Sequence, residues 1–133
     1  MTNLHEGQPV YAAGISLGEA KAAVVMIHGR GATAESILTL ESVIDRPDVA
    51  YLAPQAAGNT WYPYSFLMPL DQNEPGISSA MAALEHVLAS IEGAGIPADR
   101  TVLLGFSQGA CLAGEFAARH ARRVRDARSA RGS

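Results

Sequence analysis

One cysteine, one lysine, few aromatics and no long apolar run mark this 133-residue chain. With Cys111 as the sole thiol, an intrachain disulfide is excluded and a reducing compartment fits. The longest apolar run, Ala22 to Ile27, is far too short to span a bilayer. The start, Met1 to Gly7, has neither a basic n-region nor an apolar h-region, so no secretory signal is expected and the cytoplasm is the predicted location. The four histidines show no metal-ligand spacing and no H-E-x-x-H, so no metal is predicted. A broad basic surface is also missing. Residues 119–133 hold six arginines against one acid, whereas residues 1–118 hold four basic groups against twelve acidic ones. An arginine-rich end on an acidic body reads as a solvated terminus, and no nucleic-acid partner is expected.

What is present is a soluble-type composition, 48% apolar and 17% charged, in a length suited to one domain. Residues 9–15, 22–28, 49–53 and 101–106 read as strands, and the second is apolar throughout, as a central strand must be. The polar link Ser16 to Lys21, with Gly18, predicts a hairpin between the first two. Helices are predicted over about 33–45, 77–92 and 108–124. The second carries Ile77, Met81, Leu84, Val87, Leu88 and Ile91 on one stripe, and Met81 is read as core. The stretch 55–75 lacks periodicity, and connections of that length tend to be functional. Strand and helix alternate, which argues a mostly parallel, doubly wound α/β sheet of about four strands flanked by helices. Ligands of such sheets bind beyond the strand C-termini.

Gly105-Phe106-Ser107-Gln108-Gly109 follows the last strand and opens the last helix. G-x-S-x-G in that context is a nucleophile elbow, a strained strand-to-helix turn that exposes the serine Oγ. The competing reading is a helix N-cap serine after a glycine turn. His28-Gly29-Arg30-Gly31-Ala32-Thr33-Ala34 fits G-x-G-x-x-A, yet the next strand ends in Ala53-Pro54-Gln55 without the ribose-binding acid. Dinucleotide binding is therefore set aside, and no cofactor is predicted. His28 is read as a brace of its turn rather than a base, and Cys111 as a buried core thiol.

The motifs His28-Gly29-Arg30-Gly31-Ala32, Ala53-Pro54-Gln55-Ala56, Trp61-Tyr62-Pro63 with Phe66, Asn73-Glu74-Pro75 and Gly105 to Ala110 stand in one order over residues 9–124. In this the chain resembles the phospholipase/carboxylesterase family of α/β-hydrolases, which includes carboxylesterases, lysophospholipases and acyl-protein thioesterases. The resemblance implies a serine carboxylic-ester hydrolase acting on a small acyl ester or thioester, with Ser107 as nucleophile. The backbone N–H groups of Arg30 and Gln108 would form the oxyanion hole. Trp61, Tyr62 and Phe66 would bind substrate as an apolar wall, or else fasten the long loop to the sheet; both readings stay open.

The hydrolase triad runs Ser, then Asp or Glu, then His. After Ser107 come His120 and Asp126, in the reverse order. In a continuous helix His120 would lie roughly 20 Å along the axis from the serine. The chain is therefore expected to be a truncated hydrolase, with residues 1–124 as the N-terminal portion of the domain and 125–133 as a disordered arginine-rich tail. The abrupt change in character after Val124 suggests a truncated or frameshifted product. The strand 101–106 would lack its next neighbour, leaving an edge for a second copy or a complementing chain. An inactive fragment or interaction module is the alternative function.

Overall fold

The computed structural model describes residues 3–130 except Asp45 and Phe66, with the backbone alone for Leu70 and residues 120–130. Four strands, β1 (Val10–Gly14), β2 (Ala22–Ile27), β3 (Val49–Pro54) and β4 (Thr101–Gly105), form one sheet in the order β1-β3-β2-β4. The helices are α1 (Ala34–Leu38), α2 (Glu41–Ile44), α3 (Gly76–Gly93) and α4 (Gln108–Ala130). β2 pairs in parallel with β3 and β4, whereas β1 pairs antiparallel with β3.

The hairpin expected between β1 and β2 does not form. β2 sends Ala23, Val25 and Ile27 into one core cluster and Met26 into the other, so it must be covered on both faces. β1 alternates exposed and half-buried residues, which suits an edge. The chain therefore carries β1 past β3 to the rim, an arrangement common where an antiparallel strand borders a parallel sheet.

Side-chain alternation sorts the core into two layers. Leu52 of β3 joins Ala23, Val25 and Ile27 against α3 and α4, while Val49, Tyr51 and Ala53 join Met26 against Ala34 and Ile37 of α1. α3 buries Ile77, Ala80, Met81, Leu84, Val87 and Ile91, the stripe that a period of 3.6 gives. Its first turn is held by Glu74, whose carboxylate accepts from the Ser78 N–H at 2.8 Å and from the Ser78 hydroxyl at 2.5 Å. The single helix expected over 33–45 is broken between Leu38 and Glu41. There the hydroxyls of Ser36, Thr39 and Ser42 donate to the carbonyls of Thr33, Ser36 and Thr39, and such local bonds compete with the helical ladder. α4 runs past Val124, and residues 131–133 of the predicted tail lie outside the described residues. No described helix is long and apolar enough to cross a membrane.

Two glycines let α4 start directly on the sheet. A Cβ at Gly105 would strike the Gly109 carbonyl and lie 2.6 Å from the Ala110 nitrogen; one at Gly109 would strike the Ile27 carbonyl and lie 2.7 Å from that of His28. The helix backbone thus rests on the ends of β2 and β4 with no side chain between.

Two stability measurements follow. Gly109→Ala is expected to cost more than about 2 kcal/mol in urea denaturation, because the obstacle is main chain that cannot rotate away; Gly114→Ala, where nothing lies within 4 Å of the new methyl, is expected to be neutral or stabilising by up to about 1 kcal/mol. Tyr51 is fully buried and its hydroxyl has no hydrogen-bond partner among the described residues. Tyr51→Phe is therefore expected to leave stability unchanged or raise it by up to about 1 kcal/mol. A loss of that size would reveal a partner for the hydroxyl.

Candidate active site

Because β2, β3 and β4 are parallel, their C-termini deliver three segments to one rim of the sheet: the turn 28–31, the loop from Pro54 onward and the elbow at Ser107. Ser107 is exposed and holds a φ of +53°, a left-handed conformation that a non-glycine residue adopts only at a cost. The strand continues through Phe106, whose N–H donates to the Ile27 carbonyl at 3.2 Å, and α4 begins at once with Gly109 N–H donating to the Phe106 carbonyl at 2.9 Å. This is a serine projected from a strand-to-helix turn, unlike an N-cap serine, whose backbone is extended.

The turn 28–31 lies against it. A Cβ at Gly29 would meet the Ser107 Cβ at 3.4 Å and the Phe106 carbonyl at 3.1 Å. Gly31 and Ala32 donate their N–H groups to the Asn59 and Gly29 carbonyls. Among the described residues the N–H groups of Arg30 and Gln108 make no such backbone bond. These two main-chain donors, next in sequence to Gly29 and Ser107, thus have no backbone acceptor among the described residues.

The side chains of the same two residues do different work. Gln108 is buried; its Oε1 accepts from the Trp61 N–H and its Nε2 donates to the Tyr62 carbonyl, both at 2.8 Å. The Arg30 guanidinium donates to the carbonyls of Pro63 at 2.5 Å and Tyr64 at 2.8 Å. Each therefore ties the loop 55–65 to a segment beside Ser107. Asn73, fully buried, closes the far side: its Oδ1 accepts from the Tyr64 N–H and its Nδ2 donates to the Ser65 carbonyl.

Trp61 and Tyr62 do not present the free apolar wall considered from sequence. They are 0% and 2% exposed and belong to the core cluster under α3 and α4. The indole N–H donates to the His28 carbonyl at 2.9 Å. Burial, with Cys111 next in effect and Arg30 opposing, pushes the Tyr62 phenol up to about 12, so it stays protonated. The exposed apolar side chains of the loop are Tyr64, Leu67 and Met68. Phe66 lies outside the described residues. Cys111, expected in the core, is exposed, because α4 turns Leu112 and Phe116 inward.

His28 braces its turn, as the sequence indicated. Its Nδ1–H donates to the Gly29 carbonyl at 2.8 Å and its Nε2 accepts from the Ala56 N–H at 3.0 Å. Burial holds its imidazole below the ordinary histidine range, with the Gly29 bond opposing. No described histidine or carboxylate is hydrogen-bonded to the Ser107 hydroxyl. The backbone of His120 sits well along α4, and its side chain is outside the described residues. Sequence reasoning missed His5, Asn73 and the side chains of Gln55 and Gln108 as loop fasteners. Only the motif strings Pro54-Gln55-Ala56 and Asn73-Glu74-Pro75 carried a signal for two of them.

The profile of the phospholipase/carboxylesterase family matches residues 15–125. A phospholipase/carboxylesterase from Dyadobacter fermentans is 48% identical and superposes with a TM-score of 0.77, over 80% of this chain and 51% of its own. Esterase PE8 is 28% identical with a TM-score of 0.61, over 80% of this chain and 54% of its own. The acyl-protein thioesterase 2 of Zea mays, at 21% identity and a TM-score of 0.58, shares the fold over 80% of this chain and 49% of its own. The chain thus spans about half the length of these solved relatives. With the profile match over most of its length and a mostly parallel sheet flanked by helices, the chain belongs to the phospholipase/carboxylesterase family of α/β-hydrolases.

Proposed function

We propose that the chain carries the nucleophile and oxyanion-binding half of a serine carboxylic-ester hydrolase. The observation that carries this reading is the left-handed, exposed Ser107 set against Gly29, with the N–H groups of Arg30 and Gln108 lacking backbone acceptors among the described residues. Ser107 Oγ would attack the acyl carbonyl carbon while its proton passes to a base. The carbonyl oxygen, now anionic, would accept from the N–H groups of Arg30 and Gln108. Collapse expels the alcohol or thiol with a proton, and water then hydrolyses the acyl-serine. Among the described residues, the exposed side chains of Phe106, Tyr64, Leu67 and Met68 offer apolar surface that would contact an acyl group.

No described residue supplies the base. A serine without one is a weak nucleophile, so the chain is expected to keep only what the oxyanion hole and binding provide, about 10³-fold over water. The second reading, a non-catalytic interaction module, draws on the free side of β4: the strand pairs with β2 alone among the described residues, and Val102 is 56% exposed. Such edges accept strands from other chains.

The two readings separate in one experiment. Purified chain and Ser107→Ala are compared for hydrolysis of p-nitrophenyl acetate and for labelling by a fluorophosphonate. The hydrolase reading expects labelling that vanishes in Ser107→Ala, together with an esterase rate at least about tenfold above that variant. Equal rates and no labelling, with the chain eluting as a dimer or larger species, would favour the interaction module.

A further inference from the structure

The proposal concerns His5, which precedes the residues 15–125 matched by the family profile. We propose that His5 is a positioning residue of this site: together with His28 it clamps Trp61 as a neutral imidazole, and protonation of the pair releases the loop that Trp61 anchors. It rests on the hydrolase reading only for what the loop does to substrate; the clamp itself stands on the geometry that follows.

Both imidazoles are buried, 4% exposed at His5 and 1% at His28, with Trp61 between them. His5 meets the indole edge-on and His28 stacks on it, each with ring centroids 5.1 Å apart. Each ring also holds main chain of the loop. His5 Nδ1 accepts from the Ala57 N–H at 3.0 Å while its Nε2–H donates to the Trp61 carbonyl at 2.8 Å. His28 Nε2 accepts from the preceding amide, Ala56 N–H, also at 3.0 Å.

Backbone amides only donate and carbonyls only accept, so these partners decide the tautomers. His5 carries its proton on Nε2, and His28 on Nδ1. In each ring the second nitrogen is an acceptor already in use. A second proton would set an N–H against the N–H of Ala56 or Ala57 in place of the acceptor each now uses. A stacked imidazolium gains some attraction to the indole face, but burial and the lost acceptor work against it.

The surrounding charges are few. The cavity beside His5, about 390 Å³, is lined by Glu6, by His86 of α3 and by the uncharged Gln8 and Gln55. The bond to the Trp61 carbonyl works against burial at His5. The 270 Å³ cavity beside His28 is lined by residues of the turn, α1 and Phe106, with no acid or base besides His28 itself. Arg30 sits at the other end of the loop, bonded to Pro63 and Tyr64. Both imidazoles lie below the ordinary histidine range, burial being the first cause in each and the His28 charge adding at His5.

The sign follows. A group whose proton is held less tightly in the folded chain than in the unfolded one binds fewer protons when folded, so stability rises with pH. The clamp is complete above about pH 6.5, the unfolded value, and is lost as pH falls through the lowered folded values. Release of Trp61 would loosen the Gln108 and Arg30 bonds to residues 61–64, and with them the two segments that hold the proposed oxyanion donors.

Trp61 is the only tryptophan, so its fluorescence reports on the clamp without substrate. Emission and acrylamide quenching are followed from about pH 8 to pH 5 in the full chain, in Ser107→Ala, in His5→Gln and in His5→Ala, beside far-ultraviolet circular dichroism. The expected result is a red shift and a several-fold gain in quenching below about pH 6.5, with helix content retained. Ser107→Ala should follow the same curve, His5→Gln should respond less or at lower pH, and His5→Ala should show the quenched state already at pH 8. A flat emission, a change that coincides with loss of helix, or a His5→Gln curve identical to that of the unsubstituted chain would overturn the proposal. Should the His5 variants not fold, imidazole nitrogen shifts of the unsubstituted chain decide: opposite neutral tautomers at His5 and His28 are required, and a protonated ring at neutral pH is incompatible. Because Ser107→Ala carries the clamp, failure of the clamp and failure of the hydrolase reading are read independently.

Discussion

The approach of α4 to the ends of β2 and β4 is the constraint on which the remainder of the site depends. Main chain meets main chain there, since Cβ atoms at Gly105 and Gly109 would collide with backbone. The helix must begin two residues after the strand ends, and the intervening turn is resolved by placing Ser107 in left-handed backbone space. That conformation costs about 1–2 kcal/mol for a residue with a side chain. It persists because Gly109, Ala110 and Cys111 donate back to Phe106 and Ser107 while Leu112 and Phe116 of the same helix are buried in the core. The geometry that exposes the hydroxyl is therefore a by-product of close packing, stabilised at a distance from the hydroxyl itself.

The loop after β3 is held by a different means. It has little regular structure, so its backbone groups cannot be satisfied by a ladder, yet parts of it are buried. Polar side chains take the place of the ladder. Gln55, Gln108, Arg30, Asn73, His28 and His5 all bond to main-chain atoms of residues 56–65. This accounts for the burial of four of these residues, His5, His28, Asn73 and Gln108, where an unpaired polar group would cost more than a bond contributes. It also means that the loop is fastened by directional bonds rather than by apolar area, Trp61 and Tyr62 excepted. Such fastening is sensitive to tautomer and charge in a way that apolar packing is not.

The strands, the long helices and the strand-to-helix turn at Ser107 were legible because each leaves a local mark: a fully apolar β2, a 3.6-residue stripe on α3, and glycines at 105 and 109. Other features were not, and in each the deciding partner is remote in sequence. The place of β1 depends on which strand needs cover on both faces, which Val10–Gly14 does not record. The break after Leu38 comes from three hydroxyls choosing nearby carbonyls, a competition that propensity places at turns but does not locate. Cys111 sits among small residues that suggest burial, yet the orientation of α4 is set by Leu112 and Phe116. Trp61 and Tyr62 were readable as aromatic, and only the tertiary contacts reveal that they face inward. His5 lies in a polar segment before the first strand, with nothing near it in sequence to mark its bonds to residues 57 and 61.

The family relation and the geometry together narrow what this half of an α/β-hydrolase can do. An acyl-transfer site needs a nucleophile, donors for the oxyanion and a base, and these need not come from one stretch of chain. On the function proposed above, the first two would come from the ends of β4 and β2, which are neighbours in the sheet. The turn 28–31, which follows β2, lies against Ser107 on one side, and the outer edge of β4 is unpaired among the described residues. On the proposed reading a base would therefore have room to approach from beyond β4, so that the edge open to further strand pairing and the approach to the serine would lie on the same side of the sheet.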